Sequence, residues 1–179
     1  MGERGTTQQR IRWRRGTVTA LGRAWRDAQE LTAEVDGDGE VRALAHPSLV
    51  GVPEVGDTVL LNTTAWAQGL GTGGYALVVA VPDRLPPDPS GPGHLVKARY
   101  TPLQVTVQGV DEQDTEHHRT IADAEDLAGM PVVVADLHSA LPAALIGVLA
   151  TDPDLKVAYV MTDGGALVAG FSRTLSALA

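Results

Sequence analysis

The chain has no cysteine. That absence excludes a disulfide framework and any zinc site built on thiolates, leaving histidine and carboxylate as the only common metal ligands. Aromatic residues are scarce at 4%, with a single phenylalanine, so a base-stacking platform has few rings to draw on. Lysine occurs only at Lys97 and Lys156, while arginine supplies the other basic side chains. No apolar run is long enough to span a membrane, and the opening MGERGTTQQRIRWRR follows its charges with no apolar segment of the signal-peptide kind. The expectation is a cytoplasmic protein with no membrane partner.

What is present suits a globular protein. A length of 179 residues at 44% hydrophobic content allows one large domain or two small ones. The net charge of −8 is unevenly spread, because seven arginines (4, 10, 12, 14, 15, 23 and 26) face only Glu3 in the first 26 residues. A basic arm beside an acidic body suits RNA, DNA or an acidic partner. Arginines alternating along an exposed strand also keep an edge soluble with no partner at all.

Between residues 10 and 82 the chain reads as five short strands divided by turns. IRWRRGTVTALGR comes first, and QELTAEVDGDGEVRALAHP follows with DGDG as a hairpin turn. GDTVLLNTTA and GYALVVAVP complete the set. Leu31, Ala33 and Val35 alternate with polar residues, as do Val41, Ala43 and Ala45. This spacing predicts a small β-barrel of SH3-like or OB-like type. GLGTGG formally matches a dinucleotide fingerprint, but that motif needs a helix after it and here a strand follows, so it reads as a loop between barrel strands.

PDRLPPDPSGPGH predicts a linker over 83–94, since its prolines can neither donate to a sheet nor continue a helix. Residues 95–179 then read as a partial α/β domain. Residues 103–110 predict a strand, and the acidic stretch around DTEHHRTIADAEDLAG a solvated segment with one short helix. From residue 130 the pattern predicts a Rossmann-like βαβα unit: a strand over 132–135, a helix over 139–150, a parallel strand over 156–162 and a helix over 166–178. The fold class is therefore mixed α+β, a barrel followed by a partial parallel α/β domain.

Ligands of open α/β sheets bind at the carboxyl ends of the strands. ADLHS puts Asp136, His138 and Ser139 at one such end, and MTDGG puts Thr162, Asp163, Gly164 and Gly165 at the next. Glycines before a helix let backbone N–H groups form an anion nest. The expected ligand is a small anion, phosphate or carboxylate, with Ser139, Thr162, Asp163, Gly164 and Gly165 binding it. If there is chemistry, His138 is the candidate general base, oriented by Asp136. Each residue has a structural reading too: Ser139 as a helix N-cap, Asp163 as an Asx turn, the glycine pair as relief of a tight turn. A secondary cluster at His94, Lys97, Arg99 and Tyr100 suits an anion or a domain contact. Neither HExxH nor a calcium-loop spacing is present, so no metal site is assigned and no cofactor is identified.

VLLNTTA, GLGTGGYALVVA, GHLVKARYTPLQ, MPVVVADLHSALP and VAYVMTDGGAL, in that order, resemble an actinobacterial family catalogued only as a domain of unknown function. The likeness runs from about Ile11 to the end and implies no activity, substrate or cofactor. It does imply that this chain matches the N-terminal half of longer proteins. One departure is Val168, where the family pattern has proline. The apolar character of ALPAALIGVLA on every side agrees with a need for cover, from further C-terminal sequence or from self-association. The leading expectation is thus an anion-binding α/β rim with possible turnover. The second is a nucleic-acid or protein-binding module using the barrel and its arginine arm.

Overall fold

The structure is a computed structural model that describes residues 9–161 and 172–178. Five strands, β1 (Trp13–Trp25), β2 (Ala28–Val35), β3 (Gly39–Ala45), β4 (Thr58–Asn62) and β5 (Ala76–Ala80), close a barrel in the order β1-β2-β3-β5-β4. Every pair is antiparallel except β3 with β5.

Closure depends on the length of β1. Its first residues, Trp13–Thr17, pair with β4, and from Gly16 onward it pairs with β2, with register shifts after Val18 and after Leu21 that bend the strand. Gly16 sits at the corner, opposite both Val35 and Val59. A Cβ there would lie 2.9 Å from the Glu34 carbonyl oxygen and 3.0 Å from Val35 Cγ2, so the missing side chain is what lets β2 approach.

The alternation in the sequence becomes the barrel interior. Leu31, Ala33 and Val35 of β2 and Val41, Ala43 and Ala45 of β3 all point inward, joined by Val18, Val59, Leu61, Ala76, Val78 and Val81. A single helical turn, α1 (Pro47–Val50), adds Val50 to this core. It is pinned by Asp27, whose carboxylate accepts from the Ser48 N–H at 2.8 Å and from the Ser48 hydroxyl. A second short turn, α2 (Thr64–Ala67), packs Trp66 against the core. The glycine-rich loop after it leads into β5, with no helix following.

The chain divides into two compact units, with the boundary between Asp88 and Pro89. The barrel belongs to one, together with helix α5 (Arg173–Leu178), which the sequence reading places in the second domain. The other unit holds an antiparallel pair, β6 (Leu95–Lys97) and β7 (Val105–Val107), helix α3 (His118–Ala122), a 3₁₀ turn over His138–Ala140, and helix α4 (Leu141–Thr151).

The expected parallel α/β unit is not seen among the described residues. Residues 132–135 and 156–161 are irregular and join no ladder, and Val134 is 90% exposed. The physical reason is that a continuous apolar run becomes a buried strand only with neighbours and cover on both faces. The run alone supplies neither. Helix α4 is close to its expected position, but none of its residues is buried. Ser139 does not cap it: the helix begins after Ala140 without a side-chain cap. Among the described residues no helix is long and apolar enough to cross a membrane.

Candidate functional site

His138 opens the 3₁₀ turn before α4. Its Nδ1 lies 2.8 Å from the Tyr159 hydroxyl, and the two ring centroids are 5.7 Å apart. The turn over 136–139 and the segment over 156–161 therefore meet, although neither follows a strand. Ser139 is exposed in that turn, and Asp136 is exposed at a bend just before it. Thr162, Asp163, Gly164 and Gly165 lie outside the described residues. Tyr159 was not singled out in the sequence, where its only signal is a hydroxyl-bearing ring inside an apolar run.

The hydrogen bond has a chemical consequence. When the phenol donates to Nδ1, the neutral ring carries its proton on Nε2, a hydrogen-bond donor. A protonated ring offers the same donor. Among the described residues no three His, Asp or Glu side chains converge as a metal would require.

The secondary cluster is separated by β6. His94, just before the strand, places Nδ1 2.8 Å from Glu112 Oε2, while the Gly109 N–H donates to Oε1 at 2.7 Å. The Gly109 N–H, then His94, hold the Glu112 carboxyl below its usual range. Lys97 ends β6. Arg99 and Tyr100 follow in the turn, where Tyr100 is 94% exposed, and residues 96–100 line a shallow hollow of about 200 Å³. His94 is thus committed to Glu112 and does not line the hollow beside Arg99 and Tyr100.

On the barrel, two arginines of the basic arm are engaged by one carboxylate. Arg12 Nη2 donates to Asp38 Oδ1 at 2.6 Å and Arg14 Nε to Oδ2 at 3.2 Å, and the Arg12 guanidinium holds the Asp38 carboxyl below its usual range. Arg12 also reaches Thr63, whose buried hydroxyl donates to the Arg12 carbonyl at 3.1 Å. Beside them runs an open groove of about 560 Å³ lined by Gln9, Arg10, Ile11, Trp13, Thr64 and Gln68, among others.

A second polar cluster was not visible in the sequence, because its members are scattered along it. Glu30 of β2 accepts from the Tyr75 hydroxyl, which also accepts from Arg42 Nη2 at 2.5 Å. Arg42 lies 4.5 Å over the Tyr75 ring. Arg173 of α5 lies 5.5 Å over the Trp25 ring, with Nη1 3.9 Å from Glu30 Oε1. The Tyr75 hydroxyl, followed by the Arg23 N–H and the two guanidiniums, holds the Glu30 carboxyl below its usual range. The same hydrogen bond to Glu30 pushes the Tyr75 phenol up.

No curated protein and no solved structure matches the chain. The model of one family, described as "Protein of unknown function (DUF3866)", matches residues 42–179. That match takes in β4, β5, the later part of β3 and all of the second unit, and by it the chain belongs to the DUF3866 family of proteins of unknown function.

Proposed function

We propose that this protein binds a small anionic ligand, a phosphate or carboxylate compound, between the turn over 136–139 and the segment that runs from Tyr159 into Thr162–Gly165. The observation that carries this reading is the His138–Tyr159 hydrogen bond, which brings the two segments together. The His138 imidazole, the Ser139 hydroxyl and the backbone N–H groups of Gly164 and Gly165 are groups of the kind such an anion needs. In any turnover, His138 is the proton-transfer group, with Tyr159 fixing its ring and Asp136 an exposed carboxylate two residues away.

Calorimetric melting of the full chain across a screen of phosphate, carboxylates and phosphorylated metabolites tests this. A ligand at a hundred times its Kd stabilises the site's unit by about 2.7 kcal/mol. His138→Ala and Gly164→Val should each remove that gain. A screen with no stabilising anion would discard the reading.

A second reading is favoured by the barrel. Its strand order, with β1 closing on β4 and β3 parallel to β5, is that of OB barrels, which in other proteins bind oligonucleotides or oligosaccharides. Fold alone does not choose a ligand. Here the groove beside Arg10, Ile11 and Trp13 offers cationic and apolar surface together. With Arg12 and Arg14 tied to Asp38, phosphate contacts on this reading fall to Arg10 in the groove and to exposed Arg15, which lies on β1 outside the groove lining. Binding of a single-stranded oligonucleotide should weaken steeply with salt, with a log–log slope that falls by about 0.7 for each of the two arginines changed to alanine. A flat salt response would discard nucleic acid as the partner.

A further inference from the structure

Two guanidiniums share Glu30, and they are held differently. Arg42 belongs to β3, contacts the Tyr75 hydroxyl at 2.5 Å and lies 4.5 Å over its ring, so that pair is part of the barrel wall. Arg173 arrives from α5, a six-residue helix distant in sequence; it lies 3.9 Å from Glu30, much as Arg42 does at 3.8 Å, but sits farther from its ring, 5.5 Å from the centre of Trp25. Take Arg173 away and the barrel still presents an indole beside a carboxylate. Indole and carboxylate together are the two surfaces that recognise a guanidinium: a π face for its plane and an oxygen for its N–H fork. Arg42 already fills the Tyr75 face, which leaves the Trp25 face for one more guanidinium.

A further detail points outward. The Trp25 indole N–H is shut off from solvent and has no hydrogen-bond acceptor. An unpaired buried donor is unusual and destabilising. A peptide would bring backbone carbonyl oxygens together with its side chain. A lysine could satisfy the charge on Glu30, but its compact ammonium lacks the plane that stacks on the ring.

We propose that Trp25 and Glu30 form an arginine-binding site for a partner peptide, occupied in cis by Arg173. The C-terminal helix is then a built-in competitor, and the site opens to a partner when α5 is displaced.

The test uses the full chain and two probes, N-acetylarginine amide and its lysine counterpart. Binding is read from the Trp25 indole N–H resonance, identified by its loss in Trp25→Phe. Removing a cis occupant raises apparent affinity by the inverse of the open fraction, so Arg173→Ala should bind the arginine probe roughly tenfold more tightly than the wild type. The lysine probe should bind more weakly, and adding Glu30→Gln should abolish the gain. Arg173→Lys keeps the charge, loses the planar fork and should fall between wild type and alanine. It decides the matter should the alanine variant melt below the working temperature. The proposal is overturned if folded Arg173→Ala and Arg173→Lys bind the arginine probe no better than the wild type, if both probes bind alike, or if Glu30→Gln leaves the gain intact.

Discussion

Leu61→Ala is expected to lower the stability of the barrel by about 2–5 kcal/mol, the cost of deleting a large side chain from an interior that cannot fully collapse around the gap. Leu61 is wholly buried, on the strand that β1 and β5 flank, and stands opposite Arg14 and Val78 in the ladder. Several of its core neighbours are alanines or valines, small side chains that cannot extend into the space left behind. Denaturant unfolding followed by tryptophan fluorescence isolates the effect, since Trp13, Trp25 and Trp66 all belong to the barrel unit. A loss below about 1 kcal/mol would mean that the interior repacks and that barrel stability does not rest on this layer.

The second large effect belongs to the other unit. Gly93 precedes β6 with φ +122°, a conformation that costs an alanine about 1–3 kcal/mol before any contact is considered. An added Cβ would also lie 2.6 Å from the Val107 carbonyl carbon and oxygen and 2.7 Å from the Gln108 nitrogen. These are backbone atoms of the end of β7, so relief requires the two strands to part. Gly93→Ala should therefore unpair β6 from β7, whereas Gly91→Ala, with open space around it, should be neutral. No tryptophan lies in this unit, so the readout is the amide resonances of Leu95–Lys97 and Val105–Val107. Unchanged resonances in Gly93→Ala would show that the close approach is not needed for pairing.

The barrel was legible because its signals are local. Period-two alternation in β2 and β3 needs no knowledge of distant residues, and the DGDG turn fixes their pairing. Closure was less legible. That β5 would join β3 in parallel, and that β1 would be long enough to reach both β2 and β4, depends on contacts between segments far apart. The expected parallel α/β unit is not seen among the described residues for a related reason: the apolar run over 132–135 looks the same whether it lies in a sheet or stands exposed. Of the candidate site, the histidine turn could be found but not its partner Tyr159, which depends on where an irregular segment passes. The cluster of Glu30, Arg42, Tyr75 and Arg173 had no sequence signal, since no two of its members are neighbours along the chain.

A closed barrel has no edges. Each of its five strands has a partner on both sides, so the barrel offers no full-length row of unpaired backbone groups to another chain. The β6–β7 pair differs, with an outer edge on each of its two strands. Each edge is three residues long, well short of the six or seven that a steric zipper uses. Strand addition between copies, where it starts from described sheet, is therefore confined to β6 and β7 and limited to three residues, too few to propagate without help from the flanking turns.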